Sequence, residues 1–241
     1  MSGSSTTDGH GLTGIADAEA FLARLTRLDP RAVVRLRATN TPGRTTLWAR
    51  LPWAVLVGRT VDGAGPGDAT VSAAALLAEL SAGGARLPER RDAEWRHPLP
   101  PSAGRRVEAL PVAEVRRLAA AAAGTLRAAA AQGIGGRAVG SRALRDALLD
   151  HVAVVVTGSE PDEGMTGRVE VSQRLVQAVV RMGFLGAPPE HGGDDDRPKP
   201  HELVHVRHVA QWVGLSAPYG IAWLRNVEQL ALKPLSIPPN G

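Results

Sequence analysis

Apolar residues recur at three- and four-residue steps in some stretches and alternate with polar ones in others, and this division predicts most of the elements. Ala18, Phe21, Leu22, Leu25 and Leu28 share one face of a helix over about 16–28. Asp29-Pro30 ends it, because the residue before a proline is pushed out of helical backbone. Residues 32–39 alternate, with Val34 and Leu36 on one side and Arg35 and Arg37 on the other. Residues 45–51 set Leu47, Ala49 and Leu51 against Thr46, Trp48 and Arg50, and Thr41-Pro42-Gly43 supplies the turn between the two strands. Residues 53–59 are apolar on both faces and read as the central strand of an antiparallel meander. Asp68 or Thr70 then caps a helix over 71–80. Residues 81–104 are rich in Pro and Arg, with one short strand around 93–97 and a domain boundary near 100–104.

The second part begins with Pro111, which suits a first helical position, where its missing N–H costs nothing. Val112, Val115, Leu118, Ala119, Ala122 and Leu126 form the stripe of a long Ala-rich helix. After the glycines at 133, 135 and 136, a shorter helix from Ser141 buries Ala143, Leu144, Ala147 and Leu148. A third, from Ser172, buries Leu175, Val176, Val179 and Met182 and stops at Gly183. Residues 152–156 suit a strand or a helix end, and 158–167 and 187–200 read as exposed loops. Residues 201–215 and 220–224 read as two strands with Trp212 packed on Trp223. The expected fold class is α+β: a small antiparallel sheet with flanking helices over 15–100, then a helical domain over 105–235 ending in a β-hairpin, winged-helix-like in outline. Residues 1–14, rich in Ser, Thr and Gly, read as a disordered tail, and no internal repeat stands out.

The composition changes this picture little. The 241 residues are 44% hydrophobic and 22% charged, within the range of a globular protein with an ordinary core. No apolar run reaches the length of a membrane span, so a cytoplasmic protein without a membrane partner is expected. The absence of cysteine rules out disulfides, thiolate metal sites and cysteine nucleophiles. The net charge is +4, carried by arginine, since Lys199 and Lys233 are the only lysines. Arginine suits bidentate phosphate contacts, and a coding bias toward Ala, Arg, Gly and Pro explains its abundance equally well.

Three constellations carry candidate chemistry. Gln173, Arg174, Gln177 and Arg181 form a polar stripe on the third helix, of the side-chain types that read base edges in the major groove. Arg142 and Arg145 on the preceding helix add charge. An ordinary amphipathic helix gives the same pattern. From Arg31 to Arg59 there are six arginines and no acidic residue, and Arg35, Arg37, Arg50 and Trp48 fall on one strand face, where arginines hold phosphates while a base stacks on the indole. His201-Glu202-Leu203-Val204-His205 is similar to the HExxH signature of zinc metallopeptidases, which on a helix implies His201 and His205 as ligands, Glu202 as general base and Glu228 as a third ligand. The alternating pattern from His205 onward reads instead as strand, which separates the two histidines too widely to chelate one metal. The expectation is a non-enzymatic nucleic-acid-binding or regulatory protein, with DNA held by the winged-helix-like region and no cofactor. A zinc hydrolase and a protein-interaction module are the alternatives.

Overall fold

A computed structural model of the chain describes residues 9–101, 104–132, 141–157, 168–187 and 202–226. The N-terminal part runs α1 (Ile15–Leu28), β1 (Val33–Ala38), β2 (Arg44–Arg50), β3 (Leu56–Asp62), β4 (Asp68–Ser72) and α2 (Ala73–Ser81). Then come β5 (Arg105–Pro111), α3 (Val112–Gln132), α4 (Ser141–Asp150), β6 (Val152–Thr157), β7 (Arg168–Ser172), α5 (Gln173–Arg181), β8 (Leu203–Val209), β9 (Trp212–Ala217) and β10 (Gly220–Arg225). Eight strands form one sheet in the order β4-β1-β2-β3-β10-β9-β8-β5, and β6 and β7 pair separately. Every pairing is antiparallel.

The two parts are spliced at β3 and β10, where Ile221, Ala222 and Trp223 lie opposite Gly58, Val57 and Leu56. This overturns the winged-helix outline. The C-terminal strands are not a wing beside a helical domain; they complete the sheet begun by the N-terminal meander. The chain is a mixed helix-and-sheet structure with one large antiparallel sheet.

Alternation along the strands explains why the sheet has two unlike faces. Val34 and Leu36 of β1, Leu47 and Ala49 of β2, Val57 and Val61 of β3, Val204 and Val206 of β8, and Leu215 of β9 point into a single core. On that inner face pack α1, α2, α3 and α5, contributing Phe21, Leu22, Leu25, Leu76, Val115, Leu175 and Val179. The other face carries Arg35, Arg37, Trp48, Arg50, Trp212 and Trp223.

Several boundaries differ from the pattern for physical reasons. Residues 52–55 form a tight turn rather than the start of a strand: the Leu51 N–H donates to Val55 O, and Ala54 takes φ 71°. Residues 68–72 are a strand rather than a helix start, since a five-residue strand between two turns offers almost no period to read. β5 went unseen because it is an edge strand exposed on most positions. Residues 92–94 form a 3-10 turn in place of the expected strand. The continuous apolar alternation of 201–215 is broken at Ala210, φ 47°, where β8 turns into β9. Residues 9–14 of the expected tail are instead part of the fold: His10 is buried, its Nδ1 accepts from the Leu12 N–H, and Leu12 enters the core; residues 1–8 lie outside the described residues. The expected loop over 158–167, and all but the first residue of the one over 187–200, lie outside the described residues.

An internal repeat emerges in three dimensions. β4 followed by α2 and β7 followed by α5 have the same lengths, and Val71-Ser72 and Val171-Ser172 stand at the same strand–helix junction. Both helices end in a glycine, Gly83 and Gly183, each at φ 69°, the left-handed backbone that closes a helix cheaply only without a Cβ. The letters hide the repeat because α2 is nearly all Ala and Leu while α5 is amphipathic.

The two junction serines should respond oppositely to truncation. Ser72 Oγ accepts from the Ala75 N–H at 3.3 Å, whereas the Ser172 hydroxyl is buried with no partner. Ser72→Ala is expected to cost about 1 kcal/mol in denaturant unfolding. Ser172→Ala is expected to be neutral or stabilising, because it removes an unpaired buried polar group.

Candidate functional site

The outer face of the sheet is the surface on which polar and aromatic side chains are brought together. In the β1–β2 pair Arg35 lies opposite Trp48 and Arg37 opposite Thr46, so the sequence-predicted group of Arg35, Arg37, Trp48 and Arg50 does share one face. The Trp48 ring lies over Gly58 of β3, where an added Cβ would come within 2.8 Å of the indole. The same device recurs at β9–β10: Trp223 covers Gly214, and an added Cβ there would stand 2.5 Å from the ring. Leu56, Trp212 and Trp223 thus form a second apolar cluster, joined by Trp48, Trp95, Leu99, Val209 and Ile221. The expected Trp212–Trp223 packing is part of it.

Residues 86–99 cross this face as a strap. Its start closes the free edge of β4: Arg90 bridges Val71, the Arg91 N–H donates to Thr70 O, and the Thr70 N–H donates to Asp92 Oδ1 at 2.7 Å. Arg35 binds Asp68 through two hydrogen bonds of 2.6 and 2.7 Å and lies 5.7 Å above the Trp95 ring. Arg35 is therefore consumed within the chain, while Arg37 and Arg50 are exposed. The hydrogen bond from Arg35 holds the Asp68 carboxyl below its ordinary range. Burial, and then the charge of Arg50, push His97 on the strap below the usual histidine value.

A depressed Asp68 value means that its contribution to stability is present above the unfolded-state pKa and is lost as pH falls through the folded one. Asp68→Asn is accordingly expected to flatten the loss of stability below about pH 4. The effect is below about 1 kcal/mol for so exposed a pair, and urea midpoints from pH 3 to pH 7, roughly the window of carboxylate titration, would show it.

The third helix of the sequence reading, α5, is a core element. Gln173 is buried and donates toward Leu118 O, and Gln177 donates to Ala119 O at 3.4 Å, both on α3. Arg174 donates to Asp150 Oδ1 at 2.6 Å and to Trp53 O at 2.9 Å, and the Trp53 Nε1–H donates to Arg174 O. That hydrogen bond lowers the Asp150 carboxyl. Arg181 stacks 5.5 Å from the Trp53 ring. The stripe expected to enter a groove of DNA is spent on α3, α4 and the β2–β3 turn. Arg145 is exposed on α4, and the side chain of Arg142 lies outside the described residues.

The zinc arrangement also fails. His205 sits on strand β8, Glu202 just precedes it, and His201 and Glu228 lie outside the described residues. From Leu203 onward the chain is strand, so the helical turn that would set His205 on one face with a histidine four residues earlier is not formed. No group of three or more His, Asp or Glu placed to hold a metal occurs among the described residues. Nor is any helix among them long and apolar enough to cross a membrane.

One grouping was missed in the sequence. Arg106 of β5 lies directly opposite Arg207 of β8, and His205 lies one outer-face position further along β8, opposite Ser216 of β9. Only the alternation of β8 was legible; the edge strand that supplies Arg106 was not.

Residues 99–229 match the family model described as "Domain of unknown function (DUF8185)". The chain belongs to that family. In this DUF8185 protein, residues 12–98 match a second model, "Domain of unknown function (DUF8010)", so the β3–β10 splice joins strands from two family modules. No curated protein matches the chain. Among solved structures, the beta subunit from DNA polymerase of Streptococcus pyogenes is similar, with a TM-score of 0.51 at 12% identity over 88% of this chain and 62% of that one. The DNA polymerase III beta chain from Streptococcus pneumoniae gives 0.51 at 10%, over 88% and 63%. The corresponding subunit from Pseudomonas aeruginosa gives 0.50 at 12%, over 88% and 62%. The DUF8185 protein thus resembles the sliding-clamp fold and spans a little under two thirds of the length of those subunits. This likeness, with α5 built into the core, replaces the expectation of a winged-helix regulator or zinc hydrolase.

Proposed function

We propose that the chain is a clamp-like scaffold that docks an acidic protein partner on the outer face of its eight-stranded sheet. The observation that carries this reading is that exposed arginines and half-buried tryptophans meet on the sheet face; Arg145 and Arg181 are also exposed on the helix side, the latter over Trp53. On the helix side, Arg59 is paired with Asp17 and donates to Tyr219 O, Arg116 donates to Leu185 O and Gly186 O, and Arg174 is held by Asp150. The exposed positions of α2 are Ala74, Ala75, Ala78 and Ser81, which offer no positive charge to a polyanion. On the sheet side, Arg37 and Arg50 are exposed near the half-buried Trp48 and Trp95, the combination that anchors protein interfaces.

The test is charge reversal in the full chain. Arg37→Glu with Arg50→Glu is expected to abolish capture of the partner bound by the wild type, leaving the fold intact by circular dichroism. Retention on closed circular DNA, with release on linearisation and no effect of the reversal, would replace this reading with a DNA-encircling one.

A further inference from the structure

The far end of the same sheet face holds a cluster that the docking reading does not use. Arg106 and Arg207 are direct cross-strand partners, an arrangement in which like charges repel at Cβ separations of about 5 Å. Among the described residues neither is ion-paired with a carboxylate. The nearest acidic residue in sequence, Glu108, is removed from the face by a register shift between Arg106 and Glu108, and its carboxylate accepts the Ala109 N–H at 2.8 Å. Arg207 is fixed by one bond, Nη1 to Gly104 O at 2.8 Å, which leaves its Nε buried without an acceptor. The Nδ1 of His205, beside it on the same face, is also buried without a partner. Buried polar atoms are rarely left unpaired, and two adjoining ones amid like charge mark a place built for something else. Ser216, opposite His205 on β9, adds a hydroxyl.

We propose that Arg106, Arg207, His205 and Ser216 form a binding site for a phosphoryl oxyanion. Two guanidinium groups, an imidazole and a hydroxyl supply more donors than the two oxygens of a carboxylate can accept, and they suit a tetrahedral dianion. The charged groups facing His205 are Arg106 from β5 and Arg207 from its own strand; β9 offers only Ser216. Burial first, then these two arginines, lower the His205 pKa, and an oxyanion between the arginines would raise it. The site stands whether or not a protein docks at Arg37 and Arg50, because it is measured on the isolated chain.

The experiment is a titration of the full chain with inorganic phosphate at constant ionic strength, following the His205 imidazole by NMR, repeated with Arg106→Gln and Arg207→Gln. Saturable binding is expected, with a His205 pKa raised by roughly one unit, a tenfold gain in proton affinity. Each variant should weaken binding at least about tenfold, in line with loss of a charge-assisted hydrogen bond. Arg106 is exposed, so its variant keeps the fold if the Arg207 variant does not. A phosphoserine peptide binding more tightly than phosphate would identify the source as a phosphorylated side chain; equal or weaker binding would identify free phosphate or a small ester. A linear, unsaturable response matched by chloride, or wild-type affinity in Arg106→Gln, would overturn the assignment.

Discussion

Phe184→Ala is expected to lower the stability of the whole chain by about 3–5 kcal/mol, the cost of truncating a fully buried aromatic ring. Phe184 follows α5 and stacks on Phe21 of α1, with ring centroids 6.3 Å apart and planes 3° from parallel. Its carbonyl accepts the Tyr219 N–H at the β9–β10 turn, and an added Cβ on Gly220 would stand 2.5 Å from the ring. Phe184 therefore ties together α1 of the first module, the end of α5 and the last hairpin. Urea unfolding followed both by tryptophan fluorescence and by far-ultraviolet dichroism should show one transition displaced to lower denaturant. Two transitions, with only the later one displaced, would mean that the modules unfold independently and that the shared core is energetically minor.

Trp223→Ala is expected to cost a similar amount, about 3–5 kcal/mol, and to act on the splice itself. Trp223 lies opposite Leu56 of β3 and Gly214 of β9, and its ring fills the space that glycine leaves at Gly214 and Gly104. Only three residue pairs join β3 to β10. Removing the indole uncovers the Leu56 end of those pairs while Trp48 still covers Gly58, so hydrogen exchange at Leu56 should accelerate far more than exchange in the β1–β2 pair. Gly214→Val tests the same contact from the other side: it should cost about 1–3 kcal/mol by overpacking. Equal acceleration across all strands would indicate global destabilisation without a weak seam.

Much of the local structure was legible because period and polarity agree there. Val34 and Leu36 against Arg35 and Arg37 specify both a strand and its buried side, and the expected sharing of one face by Arg35 and Trp48 is what the sheet shows. α1, α3 and α5 follow from their apolar stripes in the same way. What period cannot show is which polar side an element keeps in solvent. Gln173 and Gln177 look like surface residues on a helical wheel, yet they donate to carbonyls of α3, since an amide can be buried when a partner is supplied. The strand pairing of distant segments was equally hidden. β10 reads as a hairpin partner of its neighbour, and nothing in its six residues states that its other edge takes β3, more than 150 residues earlier. Arg106 could not be placed at all without β5, so the basic cluster it shares with Arg207 and His205 exists only in three dimensions.

The placement of the partner-binding face is tested most directly by site-specific photocrosslinking. A photoreactive residue is introduced in the full chain at Arg50 on the sheet face and, separately, at Ala78 on the exposed side of α2. Irradiation in cells should give a discrete protein adduct from position 50 and none from position 78. Adducts from position 78 alone, or nucleic-acid adducts from either position, would contradict docking of a protein partner on the outer face of the sheet.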